Sequence, residues 1–308
     1  KNNLSVFVQQ HSVFANYKTQ ESWVILSGIE NSISAKIKSV GVPLRTWNIN
    51  IYRGILTGFN EAFIIDTNKK NQLIEEDPKS AEIIRPILRG RDIGRYACNY
   101  ANLWLIATFP SKNYDINDFP AVKNYLLSFG KERLEQSGST FTLNGEKIQS
   151  RKKTNNKWYE TQDSISYWDD FSKQKIVWKR IGSKIRFCYD DNALFCLDST
   201  CFATGSHIKY LAAILNTYVG NFLFKDSPKT GTGDLLISVQ AFDPIYVPIP
   251  TPKQEQEVNE LLDKLLLCTD TKSLDAIDDT LNDYVAQMYG FNEEEQIYIK
   301  TYVKKYYR

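Results

Sequence analysis

Lys175-Ile-Val-Trp-Lys-Arg-Ile181, Ile185-Arg-Phe-Cys-Tyr189 and Ala193-Leu-Phe-Cys-Leu197 follow one another with short breaks and are rich in β-branched and aromatic residues. Three such runs in succession read as strands. The pattern then changes. Ile208, Leu211, Ala212, Leu215, Val219 and Phe222 recur at three- and four-residue spacing after Gly205-Ser206, which predicts one capped helix with a buried face. Working back toward the start, Asn48-Ile-Asn-Ile-Tyr-Arg53 alternates with period two. A glycine-bearing turn follows, and Ala62-Phe-Ile-Ile-Asp66 reads as the hairpin partner. Leu103 to Phe109 is a further strand, and Pro120 opens a helix with Val122, Tyr125, Leu126 and Phe129 on one face. Strands and helices in separate blocks predict an α+β fold, β-rich with packed helices.

Working forward, Val247-Pro-Ile-Pro-Thr-Pro252 interrupts any regular element, because alternating prolines remove ladder donors. A boundary is expected there. Beyond it, Val258, Leu261, Leu262, Leu265 and Leu266 mark one amphipathic helix. Leu274, Ile277, Leu281, Val285 and Met288 mark a second, ended by Gly290, and Asn292 caps a third that opens with Glu293, Glu294 and Glu295. The expected organisation is a lead-in over residues 1–40, including Trp23-Val-Ile-Leu26 and a helical pattern at Ile33, Ile37 and Val40. A β-rich domain over 41–250 and a helical bundle over 251–308 follow.

The chain has 308 residues, 42% apolar and 24% charged, enough to bury one large core or two modest ones. The longest apolar stretch free of charge, Tyr210 to Phe224, is too short and too polar to span a bilayer, so no membrane partner is expected. The five cysteines include no C-x-x-C pair and suggest reduced thiols and a cytoplasmic location. The chain begins at Lys1 and its sole methionine is Met288, so it is expected to be a piece of a longer protein. Its net charge of +2 is unevenly spread: from Thr251 to Glu295 three lysines face twelve carboxylates, leaving the rest basic.

A catalytic engine is hard to find. His11 and His207 lie in separate segments, and Cys188, Cys196 and Cys201 lack metal-ligand spacing, so buried structural thiols are expected and no metal site. There is no G-x-x-x-x-G-K-[ST] phosphate cradle. The acidic-x-Lys triplets Asp77-Pro-Lys79 and Asp270-Thr-Lys272 lack the upstream Pro-Asp of a metal-dependent nuclease. Asp226-Ser-Pro-Lys-Thr-Gly-Thr-Gly233 is glycine-rich, yet it follows a helix and precedes a strand-like run, the reverse of a nucleotide-binding loop.

Between Gly145 and Asp190 eleven Lys/Arg stand against six acids, interleaved with Trp158, Tyr159, Tyr167, Trp168 and Trp178. Cations neutralise phosphates, arginine forks read guanine edges, and aromatics pack on sugars or extruded bases. Gln149-Ser-Arg-Lys-Lys-Thr-Asn-Asn-Lys157 suits a loop reaching into a groove. It suits equally a solvated loop followed by a strand whose lysines face water.

Several signatures, in order along the chain, resemble one family. Arg53-Gly-Ile-Leu-Thr-Gly-Phe-Asn-Glu-Ala-Phe63 is similar to R-G-I-x-T-G-x-N-x-A-F, and Ile84-Arg-Pro-Ile-Leu-Arg-Gly-Arg-Asp-Ile93 to P-x-L-R-G-R-D-I. Lys157-Trp-Tyr-Glu160, Lys175-Ile-Val-Trp178, Tyr210-Leu-Ala-Ala-Ile-Leu-Asn216, Ile245-Tyr-Val-Pro-Ile-Pro250 and the closing run Leu281 to Glu295 continue the series. Over residues 41–308 the chain resembles the C-terminal specificity (TaqI-like target-recognition) domain of type IIG restriction-modification enzymes and related adenine-N6 DNA methyltransferases.

The resemblance implies sequence-specific recognition of double-stranded DNA. An upstream methyltransferase domain of the same polypeptide would carry the N-P-P-[YF] motif and S-adenosylmethionine, and a nuclease, where present, Mg2+. Neither that motif nor a cofactor loop occurs here, so no catalytic residue and no cofactor is assigned to this chain; the parent is expected to be the enzyme.

The expected DNA contacts are Thr57 and Asn60 as donors near phosphate, with Gly54 and Gly58 permitting a tight hairpin, although the turn equally reads as one that only packs. Arg89 and Arg91 are phosphate or base contacts, unless Arg91 pairs internally with Asp92. Arg151, Lys152, Lys153, Asn155, Lys157, Arg180, Lys184 and Arg186 are favoured for direct readout; Trp158 reads as core rather than a wedge. Competing readings are a stand-alone specificity subunit, which should carry a second recognition domain, and a protein-binding scaffold built on the acidic tail.

Overall fold

In the computed structural model, which describes residues 27–143 and 145–307, a four-stranded antiparallel sheet forms the spine. Its strands run in the order Phe187–Asp190, Lys175–Lys179, Thr200–Gly205 and Ile49–Arg53. Within Lys175–Lys179 the three residues Ile176, Val177 and Trp178 are apolar without alternation because the strand is buried on both faces. Alternate side chains serve different cores. Ile176, Trp178, Phe187, Tyr189, Cys201 and Ala203 face one, and Val177, Cys188 and Phe202 the other.

The first core is closed by helices. Ile208–Leu215 and Tyr218–Phe222 pack with Pro252–Leu267, Thr271–Met288 and Glu293–Tyr306 through Leu211, Val258, Leu262, Leu281, Val285 and Val303. The second core is closed by another sheet, ordered Phe195–Cys196, Ile84–Leu88, Leu103–Ile106, Ile64–Asp66, with the first pair parallel and the rest antiparallel. The helices Thr67–Glu76 and Pro120–Leu127 pack on that core. The mixed α+β class is as the sequence indicates, and no helix among the described residues is long and apolar enough to cross a membrane.

Several sequence expectations require correction. Ile49–Arg53 does not form a hairpin with residues 62–66. It pairs with Thr200–Gly205, while Ala62 and Phe63 end a short helix and Ile64–Asp66 pairs with Leu103–Ile106. The alternating pattern identified strands but not their partners, which loop length alone cannot fix. The helix expected over 208–222 breaks at Asn216-Thr217, where Thr217 accepts from Gly220 N–H and caps the second segment. His207, not Ser206, is the N-cap residue of the first. Cys98 and Cys188, 90 residues apart, form a disulfide rather than free thiols. The Tyr96 N–H to Phe187 carbonyl and Tyr189 N–H to Tyr96 carbonyl bonds bring their strands together. Cys196 and Cys201 are buried free thiols. The run Trp23 to Leu26 lies outside the described residues, whereas Ile33, Ile37 and Val40 belong to the helix Gly28–Val40.

That helix is tied to the C-terminal one. Glu295, 2% exposed, accepts Lys36 Nζ at 2.7 Å and Ser32 Oγ at 2.6 Å. Burial raises its pKa, but these bonds and the Asn292 N–H outweigh burial and hold it below the ordinary 4.5. A depressed folded pKa stabilises above the unfolded value, and that contribution is lost as pH falls through the folded one. Acid unfolding is therefore expected to steepen below about pH 4.5. In Lys36→Met that component should shrink; an unchanged acid limb by circular dichroism would contradict this.

Candidate nucleic-acid interface

One end of the central sheet collects cations, and strand register explains how. Arg53 lies opposite Cys201, Lys179 opposite Thr200, and Arg186 directly precedes Phe187, whose partner is Trp178. Arg180 follows Lys179 in sequence. The turn Gly90–Asp92 lies on the same edge, where Gly90 N–H donates to Ser199 Oγ at 2.9 Å. A Cβ on Gly90 would stand 3.2 Å from both Lys179 Cγ and the Ser199 carbonyl. Arg91, Lys179, Lys184 and Arg186 are exposed, and Arg180 is half-buried.

Within this group Arg53 and Arg180 have spare hydrogen-bonding capacity. The Nε of each is buried with no partner, and Arg53 approaches Asp163 no closer than 3.9 Å. Burial pushes the Cys201 thiol up to about 11, and the charges of Arg180 and Arg53 oppose that rise. Those two Nε groups are out of a ligand's reach, so the part that can meet a phosphodiester is the solvent-facing side of each guanidinium, with 41% of the Arg53 side chain exposed.

The turn after Arg53 is shaped by close approach. A Cβ on Gly54 would fall 2.0 Å from the Leu197 carbonyl oxygen, so this glycine is needed for strand contact rather than for a hairpin bend. Gly58 does adopt a left-handed φ of 77°. Thr57 is fully buried: its hydroxyl donates to Asn60 Oδ1 at 2.6 Å and accepts from Phe59 N–H. It is not a phosphate donor, because its proton is committed inside the turn. Asn60 is exposed at the start of the short helix.

Arg89, not Arg91, is the partner of Asp92. Its Nε and Nη2 donate to the carboxylate at 2.9 and 2.8 Å, a fork that the one-turn geometry of Gly90–Asp92 allows. Arg89 is thus engaged, while Arg91 has no hydrogen bond or ion pair among the described residues.

Arg151 is also put to another use. It is 4% exposed, and its guanidinium donates to the carbonyls of Leu134 (2.8 Å), Thr57 (2.8 Å), Glu160 (2.7 Å) and Trp158 (2.6 Å). Burial pulls its pKa down to about 10, with the charges of Glu135 and Glu160 opposing. All three nitrogens of the fork donate to backbone carbonyls, so Arg151 anchors the loop instead of reading bases. The loop residues Lys152, Lys153, Asn155 and Lys157 are exposed beyond it. Trp158 is half-buried against the second core, as its sequence reading favours. Lys175, which the alternative reading of this segment turned toward water, is fully buried and paired with Asp190.

Two features escaped the sequence reading. One is the convergence of Arg53 and Lys179 with Arg180, which depends on strand register. The other is a two-stranded ribbon, Thr140–Leu143 paired with Glu146–Gln149, whose signal is the dipeptide Asn144-Gly145 between alternating runs. The segment Asp226 to Gly233 lies between a helix and the short strand Leu235–Leu236, with open space around Gly231 and Gly233. Among the described residues no cluster of His, Cys, Asp and Glu comes together to hold a metal ion.

Residues 85–236 match the TaqI-like C-terminal specificity domain. No curated protein matches the chain in sequence. Matching solved structures include the Type IIL restriction-modification enzyme MmeI, solved in complex with DNA. It has a TM-score of 0.57 and 14% identity over 87% of this chain. The chain spans 37% of that structure's length, and at this identity the likeness is one of fold.

Proposed function

We propose, from the match of residues 85–236 to the TaqI-like C-terminal specificity domain, that the chain is the sequence-specific double-stranded DNA recognition module of a restriction-modification enzyme. The observation that carries this reading is the gathering of Arg53, Arg91, Lys179, Arg180, Lys184 and Arg186 at one end of the central sheet. The exposed loop of Lys152, Lys153, Asn155 and Lys157 extends it, since Arg151 ties that loop to the Thr57 turn that continues from Arg53. In this reading the parent enzyme is of type IIG and acts in the cytoplasm. An upstream domain binding S-adenosylmethionine methylates adenine N6, and a Mg2+-dependent nuclease acts where one is joined. This chain selects the site and supplies no catalytic group.

Salt dependence tests the reading. If about six phosphates are neutralised, the logarithm of duplex affinity should fall against the logarithm of salt with a slope of about −5. Affinity indifferent to salt would contradict a phosphate-contacting face and favour a protein-binding scaffold on the acidic helices.

A further inference from the structure

The ribbon of Thr140–Leu143 and Glu146–Gln149 is a sheet of its own, joined to no other strand among the described residues. Register puts Thr140 opposite Gln149, Phe141 opposite Ile148 and Thr142 opposite Lys147. Because side chains alternate, Thr140, Thr142, Lys147 and Gln149 share one face and Phe141 and Ile148 the other. The first four are exposed, the last two half-buried. None of the four polar side chains makes a hydrogen bond or ion pair among the described residues.

A free-standing, solvated two-stranded ribbon is marginal by itself, and here its base is held firmly. Ser150 N–H donates to the Ser139 carbonyl, Gly138 N–H to the Arg151 carbonyl, and Arg151 N–H to the Glu135 carbonyl, continuing the pairing inward. Ser150 Oγ bonds Ser137 Oγ and the Ser139 backbone. Below them the Arg151 guanidinium ties both limbs to the body through Leu134, Thr57, Trp158 and Glu160. Much hydrogen bonding is thus spent on holding out an element that covers no core.

We infer that this ribbon enters the major groove of the bound duplex, where Thr140, Thr142, Lys147 and Gln149 read base edges. The inference rests on the DNA-recognition reading and names the element that performs it. A two-stranded ribbon fits the major groove, which is about 12 Å wide. The free side chains are of the types that read it: glutamine with adenine, lysine with guanine, threonine with either donors or the thymine methyl. Lys152 and Lys153, exposed at the ribbon's base, flank it with charge for the phosphates.

The test is selection from a pool of randomised duplexes by the full chain and its variants, with melting curves run in parallel. The unaltered chain should recover one short word. Thr142→Ala, Lys147→Ala and Gln149→Ala should each relax preference at one or two positions by roughly 5- to 150-fold, and Gln149→Glu should move one position from adenine toward cytosine. Lys152→Ala should weaken all duplexes alike and leave the word intact. If the ribbon variants recover the same word with the same preference, the inference fails while DNA recognition stands. If the unaltered chain recovers no word, recognition itself fails and the inference with it. A variant whose melting curve shifts is judged by Gln149→Glu, whose changed base preference loss of folding cannot imitate.

Discussion

Asp190→Ala is expected to lower folding stability by about 3–5 kcal/mol. Lys175 and Asp190 face each other across paired strands, 0% and 1% exposed. Removing the carboxylate leaves an ammonium in the core with the Phe171 carbonyl as its remaining partner. The N–H groups of Asn192 and Leu194 lose their acceptor as well. Replacing both members, as Lys175→Met with Asp190→Leu, should cost less than Asp190→Ala, because no buried charge is stranded. Urea unfolding with an unchanged m-value checks this; a loss under about 1 kcal/mol would mean the pair is hydrated rather than buried.

Arg151→Met should cost about 2–4 kcal/mol, since the apolar stem is kept but four carbonyls lose a charged donor. Arg151→Lys should not restore it, because an ammonium cannot span acceptors arranged around a planar fork. The neighbouring Lys152→Ala should stay within about 0.5 kcal/mol, as expected for an exposed side chain. The contrast separates an anchor from a ligand contact in one segment. If Arg151→Met unfolds at the same denaturant concentration as the parent, the anchoring role is wrong.

How far the sequence spoke depended on whether the information was local. Strands such as Lys175–Lys179 and the capped helix opening at Glu293 were legible because apolar period and cap chemistry are properties of neighbours. Partnership was not. The strand Ile49–Arg53 reaches across some 150 residues to Thr200–Gly205, and the glycine motif after it looked like a hairpin turn although Gly54 is small to let Leu197 pass. The Cys98–Cys188 bond is equally non-local.

Charge was the most deceptive signal. Arg151, Lys152 and Lys153 are alike in sequence, yet one is buried under carbonyls and two face solvent. Burial decides which cation is available, and burial follows from tertiary packing. Arg89 and Arg91 divide in the same way, since only the former can fork onto Asp92. The ribbon, by contrast, was written locally in Asn144-Gly145 and its alternating flanks.

The central claim is that the cationic end of the sheet and its attached loop lie on a duplex, and lysine acetylation with and without duplex DNA tests it most directly. Duplex should shield Lys152, Lys153, Lys157, Lys179 and Lys184, all exposed in the free chain. It should leave Lys253, Lys264 and Lys272, on the acidic helices, as reactive as before. Shielding of the second set, or of neither, would contradict the account.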